Sequence, residues 1–191
     1  TNLMNQRSDA LVTASEIITF VNKSALKFSQ KSNQHFVATI GKLNVHPNSA
    51  AIIPGLVEMT IDLRATNQNL RQDFLNILKE KILLLNDTTS CKTNIEDIAF
   101  APFVKMNKDL IKLFKNCAKS LGLSSNIMDS GAGHDTAQLS RVAPAGMIFI
   151  PCKDGLSHCP EEYAEVSDIS KGTAVLWKMV ESLANQHSNT I

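Results

Sequence analysis

Residues 35–65, "HFVATIGKLNVHPNSAAIIPGLVEMTIDLRA", decide what kind of domain the first half of the chain forms. In the first part, Phe36, Ala38 and Ile40 fall on one side of an extended backbone; in the second, Val57, Met59, Ile61 and Leu63 do the same. Successive side chains of a strand point to opposite faces, so each part predicts a strand with one apolar face. "HPNSA" between them supplies turn chemistry.

Helical patterns flank this pair. In "LMNQRSDALVTASEIITFVNK" the residues Leu11, Ala14, Ile17, Ile18 and Val21 recur at the spacing of one helix face. In "NQNLRQDFLNILKEKILLLN" (67–86) the stripe is Leu70, Phe74, Ile77, Leu78 and Ile82, with Asn67 or Asn69 as the cap. "KTNIEDIAFAPF" (92–103) then reads as a short strand. The order helix, strand, strand, helix, strand is that of a ferredoxin-like βαββαβ domain lacking its first strand. That strand pairs in the middle of such a sheet, and leaving it out strands a row of backbone N–H and C=O groups. Thr1 is therefore expected not to be the natural start of the folded unit.

The second half, from 102 to 191, alternates helix and strand. "MNKDLIKLFKNCAKSLG" is helical with Gly122 as a stop signal, "SSNIMDSG" (124–131) is a short strand, and "HDTAQLSRVA" is a short helix after a glycine turn. "AGMIFIPC" (145–152) predicts a strand buried on both faces, as a sheet between helices requires. "SDISKGTAVLWKMVESLANQ" closes the chain as a helix, with Ser167 or Asp168 as its cap. This half reads as the end of an α/β domain. It offers few helices for such a sheet and so reads as partial. The expected division is 1–101 and 102–191.

Composition excludes some functions. The 19 basic and 18 acidic residues among 191 give a net charge of +1 and form no basic cluster, which argues against nucleic acid or an anionic membrane as partner. No apolar run approaches the roughly 20 residues of a membrane span, and the start has no secretory pattern. The four cysteines, Cys91, Cys117, Cys152 and Cys159, show no CxxC pairing, so reduced thiols in the cytoplasm are expected.

Chemistry concentrates at two turns. "SGAGHDT" (130–136) places His134 and Asp135 where a strand ends and a helix starts, a position where ligands collect in open α/β sheets. The plainer reading is a helix start, with Asp135 complementing the helix dipole. "CKDGLSHCPEE" (152–162) presents His158 on a Gly-Ser turn after another strand end, and two such histidines can converge on one cavity; alone, His158 reads as a surface-loop residue. Cys152, His158 and Cys159 are zinc-ligand types, but adjacent His158 and Cys159 can hardly both ligate without strain. Glu161 and Glu162 read as residues that cap the turn. Arg64 ends the second strand of the first half, where its planar fork suits a carboxylate or simply meets solvent.

These stretches, with "MNQRSDALVTASEII" (4–18) and "IIPGLVEMTIDLRA" (52–65), resemble the C-terminal part of the amidohydrolases that cleave N-carbamoyl-L-amino acids, allantoate or β-ureidopropionate, within the M20 metallopeptidase-like superfamily. The resemblance implies a catalytic α/β metallohydrolase domain interrupted by a ferredoxin-like lid that also forms a homodimer interface. It implies two divalent metal ions, zinc, manganese, cobalt or nickel, that polarise an amide carbonyl and generate hydroxide, with a glutamate as general base. By the same resemblance His158 is the last metal-ligand histidine. His134 and the backbone of Gly133 hold the substrate amide or its oxyanion. Arg64 grips the carboxylate of a small substrate.

Two departures accompany the match. Ala51, three residues before Pro54-Gly55, stands where the family usually has a substrate-binding asparagine. The remaining metal ligands and the general base belong to a segment upstream of the lid, without counterpart here. The chain alone is thus expected to bind no metal tightly and to be inert. The same resemblance leaves open an aminoacylase or peptidase, or a dimerisation remnant without activity.

Overall fold

The computed structural model describes residues 2–31 and 35–188. By its internal contacts the chain divides into two compact units, Thr1–Phe103 and Val104–Ile191.

The first unit is built on an antiparallel pair, β1 (Phe36–His46) and β2 (Leu56–Ala65), with Phe36 opposite Ala65 and His46 opposite Leu56. The register shifts between Ile40 and Lys42, at Gly41. The apolar residues of β1 require that shift. They run Phe36, Ala38, Ile40 and then Leu43, Val45, an alternation that changes phase once. One extra residue in a period of two returns Leu43 and Val45 to the face of Ile40, opposite Met59 and Val57.

Helices α1 (Ala10–Lys31) and α2 (Gln68–Thr88) cover that face. Ile17, Val21 and Ala25 of α1 join Phe36 and Phe74, Leu78, Ile82 and Leu85 of α2 in one buried cluster, against which Ile40, Met59, Ile61 and Leu63 pack. Both helices begin on a side-chain cap. Asp9 Oδ1 accepts from the N–H groups of Leu11 and Val12 at 3.0 and 3.2 Å, and Asn67 Oδ1 from that of Asn69 at 2.8 Å. Each cap satisfies donors that the first turn leaves without partners.

In the second unit α3 (Lys108–Ser120) packs on α5 (Val166–Ser188) through Cys117, Ala118, Val175 and Met179, while α4 (Asp135–Leu139) is a single short turn. Asn107 caps α3, and Gly122, at φ +71°, ends it in the left-handed region that glycine enters without steric cost. Helix α5 begins at Val166, so Ser167 and Asp168 lie inside its first turn rather than before it. Asp168 there accepts from Lys171 Nζ at 2.8 Å.

Three expected strands do not form. Residues 92–103, 124–131 and 145–152 carry no ladder among the described residues. A strand exists only through a ladder to its neighbours' backbone groups, and an isolated bond such as that from the Asn107 N–H to the Ala145 carbonyl at 2.9 Å does not make one. The third still packs: Ile148 joins the α3–α5 cluster, and Ile150 lies against α5 at Gly172. A Cβ at Gly172 would stand 2.6 Å from Ile150 Cγ2. Alanine ordinarily gains about 1 kcal/mol over glycine inside a helix, whereas overpacking costs about 1–3 kcal/mol. Gly172→Ala is therefore expected to destabilise the second unit by about 1 kcal/mol; a raised thermal midpoint would show that Ile150 moves aside freely.

No helix among the described residues is long and apolar enough to cross a membrane.

Candidate active site

The turn 130–134 is held by its own side chains. Ser130 Oγ accepts from the Ala132 N–H at 3.2 Å and lies 2.7 Å from His134 Nε2. His134 is half-buried and stands at the N-cap of α4 with an extended backbone, but its side chain makes no capping bond. The imidazole is thus committed to Ser130 on one edge. Its ring also meets Phe149 edge-on, at 5.6 Å between centroids and 64°. Gly133 does not have a positive φ, and a Cβ there would meet nothing within 4 Å. Open space beside the backbone, rather than an unusual dihedral, is what this glycine supplies.

Ser130 and Phe149 were not among the residues expected at this site. Both leave a signal: Ser130 is four residues before His134 in one small turn. Phe149 alternates with Ile148 and Ile150, which face the helices.

His158 lies in the loop that the Lys153 N–H to Tyr163 carbonyl bond closes at 2.8 Å. It is exposed, and its backbone is left-handed at φ 59°, a conformation that costs a non-glycine residue about 1–2 kcal/mol. Glu162 holds it there, its Oε2 accepting from the His158 N–H at 2.9 Å, as the turn-capping reading of that glutamate requires. No hydrogen bond, ion pair or ring contact among the described residues joins His134 to His158. Nor do the described residues contain a group of three or more histidines, cysteines or carboxylates able to hold a metal ion. His158 offers one imidazole, so these residues do not by themselves fit a metal pair.

In the first unit, Arg64 sits on the outer face of β2, opposite Val37 and two residues from Asp62. Its Nη2 donates to Asp62 Oδ2 at 2.7 Å, and its Nε reaches both carboxylate oxygens, at 3.0 and 3.1 Å. Those hydrogen bonds, with a smaller Coulombic contribution, hold the Asp62 carboxyl below its ordinary value of 3.8 against a partial desolvation that raises it. A depressed folded-state pKa means stability that is present above about 3.8 and is lost as pH falls through the folded value. Both side chains are about half exposed, so solvent screening holds the contribution to about 0.5 kcal/mol. Asp62→Asn should therefore be slightly less stable than the parent chain near neutral pH. The two should converge in strong acid; a constant gap at all pH values would assign the loss to packing.

The fold and this residue set can be compared with known proteins. The model for peptidase family M20/M25/M40 matches residues 11–182, nearly the whole chain. The chain belongs to that family. Among its M20 relatives, the N-carbamoyl-L-amino-acid amidohydrolase of Pseudomonas sp. (strain NS671) is 36% identical over 177 residues, covering 93% of this chain and 42% of the relative. The allantoate amidohydrolase of Escherichia coli (strain K12) is 30% identical over 186 residues, covering 97% and 44%. A crystal structure of an amidase of the hydantoinase/carbamoylase family from Burkholderia vietnamiensis superposes with a TM-score of 0.83 at 31% identity, covering 94% of this chain and 43% of that one. This M20 chain thus spans less than half the length of the relatives it matches. Those relatives named for an activity are hydrolases of C–N bonds.

Proposed function

We propose that this chain is the substrate-holding part of an M20 amidohydrolase acting on a linear C–N bond of an N-carbamoyl amino acid or a related ureido compound such as allantoate. The observation that carries the reading is the His134 turn. An imidazole with fixed orientation stands beside the open backbone of Gly133, in a chain whose relatives include enzymes named for these substrates.

His134 and the Gly133 backbone take the amide oxygen, where negative charge develops as the carbonyl is attacked; a donor already oriented there stabilises the transition state more than the ground state. Arg64 binds the substrate carboxylate, which its planar fork suits and which takes the place that Asp62 holds here. The first unit serves as a ferredoxin-like lid and homodimer surface, α1 and α2 backing one face of its β1–β2 sheet. Divalent metal ions are typical of the family and would supply Lewis-acid chemistry; His158 is offered to them as one ligand, the others lying outside these residues.

The test is hydrolysis by the complete protein of N-carbamoyl amino acids, allantoate and N-acyl amino acids. Turnover of the first or second supports the reading, and turnover of N-acyl amino acids alone would replace it by an aminoacylase. With the substrate found, Arg64→Ala should raise KM about ten- to a hundredfold, the loss of one charge-assisted pair at about 1.5–3 kcal/mol. An unchanged KM would remove Arg64 from the site.

A further inference from the structure

We infer that Ser130 is a positioning residue that fixes the tautomer of His134, so that the neutral imidazole presents Nδ1–H, and not Nε2–H, to the substrate. The inference rests on the reading of His134 as the group that meets the amide oxygen.

A serine hydroxyl has one proton to give and two lone pairs to receive with. Ser130 Oγ already receives the Ala132 N–H at 3.2 Å. Its other polar contact among the described residues is His134 Nε2, at 2.7 Å, a distance typical of a strong hydroxyl hydrogen bond. If Nε2 carried the proton, Oγ would receive twice, and its own proton would meet no protein acceptor among the described residues. With Nε2 as the acceptor all three groups are satisfied. The proton of the neutral ring then sits on Nδ1, since the bond at one imidazole nitrogen decides the state of the other.

The consequence concerns catalysis. A neutral imidazole stabilises a developing oxyanion only through the nitrogen that bears its proton. The serine keeps that nitrogen a donor, while the Phe149 ring packs beside the imidazole at 5.6 Å between centroids.

The experiment is nitrogen-15 spectroscopy of the histidine side chains in the complete protein, at a pH where the imidazole is neutral, with Ser130→Ala and Ser130→Thr beside the parent. His134 is assigned by its loss in His134→Ala. The parent should show a protonated Nδ1 and a bare Nε2. Ser130→Ala should show a mixture of both tautomers with kcat reduced about five- to tenfold, as loss of one hydrogen bond implies, and Ser130→Thr should restore both. A parent spectrum with the proton on Nε2 overturns the inference, even if Ser130→Ala does not fold. So does a Ser130→Ala spectrum identical to the parent's. If His134→Ala leaves kcat unchanged while the tautomer responds to Ser130, it is the role of His134 that fails, not the bond that orients it.

Discussion

Replacing Phe74 by alanine is expected to lower the stability of the first unit by about 3–5 kcal/mol, the usual cost of emptying a buried aromatic site. Phe74 is fully buried at the centre of the helix-on-sheet interface. Its ring meets Phe28 of α1 edge-on at 5.6 Å and Phe36 of β1 at 5.2 Å, so one side chain from α2 ties that helix to both α1 and the sheet. Phe28 and Phe36 also touch each other at 5.2 Å, and removal of Phe74 leaves two rings facing a void that neither can fill without leaving the other. Domains of this size are stable by only about 5–15 kcal/mol, so a large share of that reserve would be gone. Urea unfolding, followed with a probe in the first unit, checks it. Phe74→Leu should recover more than half of the loss; a loss below about 1 kcal/mol for Phe74→Ala would mean that the cluster closes up around the gap.

The second large effect is on turnover. His134→Ala in the complete protein should reduce kcat about a hundred- to a thousandfold, the scale found when one donor to an oxyanion is removed. KM should change little, because the charge that this donor meets exists mainly in the transition state. The thermal midpoint should fall only slightly, since the half-buried side chain caps nothing and its loss removes one hydrogen bond, to Ser130. Steady-state kinetics on the substrate found for the parent decides the matter. A fall of less than about threefold would assign the catalytic donor to some other group.

Much of the first unit was legible in the residues. The apolar periods of Leu70, Phe74, Ile77, Leu78 and Ile82, and of Val57 to Leu63, correspond to α2 and β2, and Asn67 caps α2 as its side chain requires. The break in phase after Ile40 marks the bulge at Gly41. The site was legible in part. The turn 130–136 and the loop 152–162 stood out by residue type, and Glu162 secures its turn. The carboxylate beside Arg64 was near at hand as well, since Asp62 lies on the same strand face.

What this sequence determined by itself are the properties carried by one segment of backbone: the helix periods, the periods of β1 and β2, the cap at Asn67, and the stop at Gly122. Each depends on neighbours a few residues away. The tertiary structure alone decided that 92–103, 124–131 and 145–152 carry no ladder among the described residues, and that Phe149 comes to lie against His134. It also set Ile150 against Gly172. A strand is completed by hydrogen bonds to residues remote in sequence, and a ring contact by the path of the chain between its partners. No local pattern of apolar residues records either one.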